Sequence, residues 1–374
     1  MRFPFRRPSI RWILSWVLIL GLFLELTLRT LTAWKEPKGR FMWMLGRNIL
    51  EEMGQRDGYR FFTGKKGQRV EHGAIRIDFN NLGYRSKKME ILPKTEDSFR
   101  VACFGDSVTL GQNMVDYYDT WPGAIERVVN AGPVSKKVEV LNFGMAHYTY
   151  TTNLVNLALI GEYVQPDIVV FLIGPNDFVC LYTRDYEPDG SHDGQWLLPI
   201  TDAVWGSHPI GNILQHSRVC NLVYGSFVKI LIFLEATKLF NYQLSEENLP
   251  LRLEKMADHL ASICTLSKAL GATPVLCTYL YDEQWVRERR GEEFLGVLDR
   301  IDDTIRSVAE KKEAILLEAN DQMRDHPDYF LDDFHLNAAG GKKFAQILVK
   351  GLKDHNQLPL EATGSDTTRI ESEE

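Results

Sequence analysis

The sequence predicts a three-layer α/β/α domain, doubly wound around a mainly parallel sheet, with one N-terminal apolar helix outside it. Two observations carry this. Short, continuous apolar runs recur along the chain between longer helical stretches, the alternation that buries a parallel sheet between crossover helices. A separate apolar run near the start follows a cluster of arginines. The chain has 374 residues, 44% of them hydrophobic, which is ample for a large core. Its formal net charge of −7 lacks the basic surplus that nucleic-acid binding calls for.

Trp12 to Leu24 carries no charge, and the run continues past Glu25 to Leu28, seventeen residues in all. As a helix that is about 25 Å, slightly short of a hydrocarbon core of about 30 Å. Arg11 and Arg29 can snorkel outward, and Trp12 and Trp16 suit an interface. Arg2, Arg6, Arg7 and Arg11 precede the run, so the positive-inside rule puts the N-terminus in the cytoplasm and the rest across the membrane. A cleaved signal peptide needs small residues before the cut. The nearest candidate, after Ala33, has Leu31 at its −3 place, a poor fit. Residues 1–33 are therefore expected to be a cytoplasmic tip and a single-pass signal anchor. Residues 34–97, rich in Gly, Lys, Arg and Glu, read as a membrane-proximal stalk with a short β unit around Ala74 to Phe79.

From Phe99 the pattern changes. Strands are expected over Phe99 to Phe104, Val138 to Phe143, Ile168 to Ile173, Thr273 to Leu280 and Ala314 to Leu317. Helices are expected over Trp121 to Asn130, with Thr120 as N-cap and Pro122 in the first turn, and over Glu246 to Leu270, Glu292 to Lys311 and Ala338 to Leu352. The domain spans 98–356. An aromatic insert, 178–243, interrupts it; its apolar stretch Leu222 to Leu234 contains Lys229 and is too short to span a bilayer. Residues 357–374 form a polar tail ending in acids, expected to be disordered. Cys103 and Cys277 lie in buried-strand runs and read as free thiols; a disulfide elsewhere among the five cysteines stays open for an extracytoplasmic domain. His192, His208 and His216 have no metal-ligand spacing, and no HExxH or phosphate loop occurs. No cofactor is expected.

The chemistry centres on Gly105-Asp106-Ser107, directly after a predicted strand and able to open a helix with Val108 to Gly111. In an open parallel sheet, reactive groups gather beyond the carboxyl ends of the strands. A serine hydroxyl needs a base within reach, and that base needs an orienting partner. Asp332-Asp333-Phe334-His335 precedes the last predicted helix, and an acid three residues before a histidine can share its turn.

Taken together, these blocks resemble those of the SGNH/GDSL hydrolase superfamily. Gly105-Asp106-Ser107 matches its first block, Gly174-Pro175-Asn176-Asp177 its GxND, and Asp332 to His335 its DxxH. The remaining block is imperfect: in Asn142-Phe143-Gly144-Met145-Ala146-His147, Gly144 fits the first glycine while His147 stands where the second is usual. The resemblance implies the flavodoxin-like sheet of that superfamily, with Ser107 as nucleophile, His335 as base and Asp332 rather than Asp333 as orienter. It implies an oxyanion hole from the Ser107 N–H, the Asn176 side chain and the backbone N–H of His147, with Gly144 as a further donor. The implied activity is a serine esterase or deacylase, working outside the cytoplasm on an ester-bearing small molecule, acylated glycan or lipid. An O-acyltransferase of a cell-surface polymer with the same triad, and a non-catalytic binding or assembly factor on the same fold, are the alternatives.

Overall fold

A computed structural model describes residues 10–34, 54–57, 59–72, 75–182, 217, 219 and 249–361. Before the main domain come helix α1 (Ile10–Trp34) and two antiparallel hairpins, β1 (Gly54–Asp57) with β2 (Phe61–Gly64) and β3 (Arg69–His72) with β4 (Ile75–Asp78). The main sheet contains β5 (Ser98–Phe104), β6 (Lys137–Asn142), β7 (Ile168–Leu172), β8 (Thr273–Cys277) and β9 (Ile315–Leu317). All pairings are parallel, in the order β6-β5-β7-β8-β9. The winding thus reverses at β5, and the crevice at such a switch point lies beyond the carboxyl ends of β5 and β7.

Side chains on β7 alternate between two cores, as a period of two requires. Val169 and Phe171 face α4 (Tyr150–Val164), α6 (Leu249–Ala269) and α8 (Glu292–Lys311), through Leu157, Leu260 and Ile301. Val170 and Leu172 face α3 (Trp121–Asn130) and α9 (Ala338–Asp354), through Ile125 and Phe344. Cys103 and Cys277 are buried free thiols in the second core, and burial pushes both thiols well up in pKa.

Residues 59–92 do not behave as the stalk that the composition suggested. Ile77, Phe79, Tyr84 and Ile91 are buried in the main domain's first core. Arg60 reaches the Tyr84 hydroxyl and Asn156 on α4 (3.0 and 3.2 Å) and pairs with Asp57 at 2.6 Å. Arg85 is fully buried and donates to the carbonyls of Leu110 (3.2 Å), Gly111 (2.5 Å) and Met114 (2.8 Å). These carbonyls lie just after the serine turn, where a short helix leaves acceptors unpaired. Burial lowers the Arg85 guanidinium to about 10 against nearby Tyr117 and acids, so it stays charged at neutral pH. Arg85→Met should therefore cost about 3 kcal/mol, since it strands buried acceptors, and Arg85→Lys should recover only part, lacking the fork. Urea midpoints at constant slope are the measurement; an unchanged midpoint for Arg85→Met would refute the clamp.

The N-terminal apolar helix is present, and Trp12, Trp16 and the side chains from Val17 to Leu20 are exposed. Among the described residues no helix is long and apolar enough to cross a membrane, so the anchor expected over 1–33 is found only as a helix. Within it Glu25 pairs with Arg29 at 2.7 Å and accepts from the Ser217 hydroxyl and the Val219 N–H, both at 2.9 Å. Apart from its first turns and these two residues, the insert 178–243 lies outside the described residues. The start of the expected tail packs: the Ser135 N–H donates to the Pro359 carbonyl at 2.9 Å, and Leu358 is buried.

Candidate active site

β5 delivers the chain to Gly105, where any side chain would collide: a Cβ there would lie 2.9 Å from the Leu172 carbonyl oxygen and 2.2 Å from Thr109 Oγ1. The next two residues start the short helix α2 (Ser107–Leu110), with Asp106 as N-cap accepting from the Val108 N–H at 2.8 Å. Gly111, at φ 65°, ends it in the left-handed region. Ser107 thus stands at the first helical position, where a backbone N–H has no intrahelical acceptor.

Across the sheet edge, 228 residues later, His335 Nε2 lies 2.9 Å from Ser107 Oγ. His335 Nδ1 lies 2.9 and 3.0 Å from the two Asp332 carboxylate oxygens. The same carboxylate accepts the Phe334 and His335 backbone N–H groups at 3.0 and 2.9 Å, which folds the acid and the imidazole into one turn. Burial opposes ionisation of Asp332, but the hydrogen bond and charge of His335 and these N–H groups outweigh it and hold the carboxyl at about 2. For His335 burial disfavours the cation, and Asp332, helped by Asp106, overturns that and raises its pKa.

Asp333 points elsewhere. Its buried carboxylate bridges Arg289 Nη1 and Arg290 Nε, each at 2.9 Å, and its carbonyl accepts the Asp282 N–H. Arg289 and Arg290 lie on helix α7 (Glu283–Arg290). Of the two adjacent acids, Asp332 meets the histidine and Asp333 ties its loop to α7.

β7 leads into α5 (Pro175–Tyr182) through Gly174, where a Cβ would lie 2.1 Å from Asp106 Oδ2. That clearance lets Asn176 Nδ2 donate to Asp106 Oδ2 at 2.8 Å, so Asn176 reaches the serine turn across the switch point. Asp177 accepts the Gly174 N–H at 2.8 Å and the Tyr150 N–H, joining the end of β7 to the start of α4. Burial raises the Asp106 pKa, against its hydrogen bonds and His335.

Gly144 needs correction as an oxyanion donor. Its N–H donates to Asn142 Oδ1 at 2.9 Å, and a Cβ there would come within 2.4 Å of the Leu110 nitrogen; the glycine serves close packing against α2. Asn142 in turn donates to the Thr109 carbonyl at 2.8 Å. His147 adopts φ 63°, a conformation glycine favours, and burial holds its imidazole down at about 4. Sequence reasoning gave no part to the Asp106 carboxylate, although an Asp one residue before a helix start is an N-cap signal. It also missed Arg85, whose partners are backbone carbonyls and leave no mark in the sequence. Among the described residues no group of three or more His, Cys, Asp or Glu side chains could hold a metal ion.

A base with this environment sets a pH dependence. Only unprotonated His335 can accept a proton, and its pKa is raised above the ordinary 6.5 while Asp332 stays ionised down to about 2. For any activity that uses this base, kcat/KM should rise through one proton-loss step centred above pH 6.5. A profile already flat by pH 6 would show that His335 does not govern the rate.

The GDSL-like lipase/acylhydrolase family model matches residues 103–343. Similar solved structures include the lipase/acylhydrolase from Enterococcus faecalis, with 17% identity, a TM-score of 0.42 and coverage of 71% of this chain and 100% of that one. The acetyl xylan esterase AlAXEase is 13% identical, with a TM-score of 0.42 and coverage of 68% and 100%. A member of the lipolytic protein G-D-S-L family from Veillonella parvula DSM 2008 is 10% identical, with a TM-score of 0.41 and coverage of 67% and 97%. Among curated protein sequences, none matches the chain.

Proposed function

We propose, from the premise that this chain belongs to the GDSL-like lipase/acylhydrolase family, that it is a serine esterase or deacylase acting on an acylated glycan or lipid at the outer face of a membrane. The observation that carries the reading is the unbroken run of hydrogen bonds from Ser107 Oγ through His335 to Asp332. In this reading the Ser107 oxygen attacks the ester carbonyl carbon as His335 Nε2 takes the hydroxyl proton. The imidazolium is stabilised by Asp332, which keeps its charge. The carbonyl oxygen becomes an oxyanion facing the Ser107 N–H, the second Asn176 Nδ2 hydrogen and the His147 N–H. Each such donor is worth about 3 kcal/mol in the transition state. On collapse the bond to the alcohol breaks and His335 returns its proton to the departing oxygen. Water then attacks the acyl-serine with His335 again as base, and the acid leaves.

Membrane attachment is supported by the exposed apolar surface of α1 behind Arg2, Arg6, Arg7 and Arg11. The orientation follows from the side that carries those arginines.

The deciding experiment is turnover of p-nitrophenyl acetate by the full chain, with and without a polysaccharide acceptor. Release of acetate and nitrophenol in equal amounts, whatever the acceptor, is the expected result. Transfer of acetyl to the polysaccharide would convert the reading to an O-acyltransferase. Absence of any burst or turnover would favour a binding factor. For the location, the chain should stay in the membrane pellet after alkaline carbonate, and a fluorescent protein that folds only in the cytoplasm should stay dark when fused after residue 60. A bright fusion would reverse the orientation.

A further inference from the structure

The turn that holds His335 carries a second charged group, which the triad does not use. Asp333 gives one carboxylate to two guanidiniums, Arg289 Nη1 and Arg290 Nε, each at 2.9 Å. The arrangement is layered: the Asp333 side chain is 6% exposed, while those of Arg289 and Arg290 are 54% and 37% exposed. An approaching solute therefore meets guanidinium edges before it meets the carboxylate. Two guanidiniums on one carboxylate leave positive charge in excess. The acids close by have donors of their own. Asp332 holds His335 Nδ1 and two backbone N–H groups. Glu283 and Glu292 pair with Arg287 at 2.6 and 2.5 Å, and Glu288 accepts from Gln284 at 2.8 Å. A guanidinium has several N–H donors in a fixed fork, and among the described residues Arg289 and Arg290 each give one to a hydrogen bond, with Asp333.

Tying the turn to α7 needs only one arginine. Here there are two, and both sit over aromatic rings. Arg289 Cζ lies 4.9 Å from the Trp285 ring centroid, and Arg290 Cζ lies 5.3 Å from those of Phe294 and Phe334. The last two rings belong to a row along the edge of the site. Phe178, two residues after Asn176, packs on Phe294 with centroids 3.9 Å apart, and Phe294 lies 6.3 Å from Phe334, the residue before His335. Guanidiniums restrained in this way lose less freedom when they take up a ligand. The pair is also fixed to the turn of the base, since the Cα atoms of Asp333 and His335 are at most about 7 Å apart. His335 returns its proton to the departing alcohol, so the alcohol half of an ester lies on the His335 side of Ser107, the side that carries this pair.

We propose that Arg289 and Arg290 form an anion subsite for the alcohol half of the substrate, so that the site selects esters whose alcohol carries a carboxylate or a phosphate. The guanidinium fork matches both oxyanions. An acidic glycan and a phospholipid headgroup each supply that chemistry. The subsite rests on the hydrolase reading above and adds the charge of the substrate to it.

The test compares p-carboxyphenyl acetate with its neutral counterpart, p-carbamoylphenyl acetate, on the full chain. The readout is the ratio of the two kcat/KM values, in which any damage to the triad cancels. That ratio should fall about tenfold in Arg289→Gln and in Arg290→Gln, the worth of a hydrogen bond to a charged group, and further in the double variant. The fall should lie mainly in KM, because the contact is made equally in the ground and transition states. Arg290→Lys, which keeps the charge and loses the fork, should retain part of the ratio. Asp333→Asn releases both arginines, so the ratio should hold or rise. An unchanged ratio in the double arginine variant would overturn the proposal, and so would an equal fall in Asp333→Asn, the mark of a purely structural pair. An O-acetylated hexuronate oligosaccharide and lysophosphatidylglycerol then separate the two sources. Cleavage of one of them should depend on the arginines to the same degree, and dependence in neither would count against the subsite as decisively. Independently of turnover, p-acetamidobenzoate, the amide analogue of the anionic ester, should bind the Ser107→Ala chain and lose about tenfold in affinity when both arginines are also replaced. Binding indifferent to the arginines would overturn the proposal. If the chain turned over no ester while this difference in binding stood, the hydrolase reading would fail and the anion subsite would hold.

Discussion

Ser107→Ala and His335→Ala should each lower kcat for p-nitrophenyl acetate by about ten-thousandfold or more, the scale seen when one member of an interdependent triad is removed. Without Oγ no acyl-enzyme forms, and without Nε2 the hydroxyl has no acceptor for its proton. The two groups act on one event and lie 2.9 Å apart, so the double variant should be hardly slower than either single one. KM should change little, because neither group contributes much to binding the ground state. Nor should either variant unfold: among the described residues the two side chains hydrogen-bond only each other and Asp332 at a part-buried contact, and neither residue belongs to the two apolar cores. An alkyl fluorophosphonate should label the wild-type chain once and leave Ser107→Ala unlabelled. Wild-type turnover by Ser107→Ala on several activated esters would end the hydrolase reading.

What the sequence made legible is local in origin. Helix α3 begins and ends at the expected residues because its start signals are contiguous: Thr120 caps the Gly123 N–H at 3.2 Å and Pro122 fills the first turn. The helix expected over Glu246 to Leu270 is described over Leu249–Ala269, and the start of the expected span, residues 246–248, lies outside the described residues. The strand expected over Thr273 to Leu280 stops at Cys277. Beyond it the Tyr279 and Tyr281 N–H groups bond the side chains of Asp302 (2.8 Å) and Asn320 (3.2 Å), so apolar continuity outlasts the ladder. Arg60 and Arg85 stand in the Gly-, Lys-, Arg- and Glu-rich segment expected to be a stalk, yet both are buried. Their partners are residues or carbonyls far along the chain, and one-dimensional patterning has no channel for that. The distinction between Asp332 and Asp333 likewise came from the resemblance, since composition gives either acid the same chemistry.

That distinction leads to the second large effect. Asp332→Asn should lower kcat by about a thousandfold to ten-thousandfold, while Asp333→Asn should act mainly on stability. Asp332 accepts from His335 Nδ1 and from two backbone N–H groups, so ionised it requires the ring proton on Nδ1 and leaves Nε2 free for the serine proton. An asparagine amide can donate to Nδ1, which moves the ring proton to Nε2 and disables the base. Asp332→Ala should be less damaging than Ser107→Ala, since the imidazole keeps its basicity and loses orientation. Removing the charge also removes the chief influence raising the His335 pKa, so the acid limb of the rate profile should slide to lower pH in Asp332→Ala. Asp333→Asn breaks the bridge to two half-exposed arginines and should cost about 1 kcal/mol, the discounted worth of partly solvated pairs, with the acid limb in place. Thermal melts and pH–rate profiles of the three variants separate these effects. If Asp333→Asn moved the limb and Asp332→Ala did not, the acid of the triad would be Asp333, and the geometry of the His335 turn would have to change during catalysis.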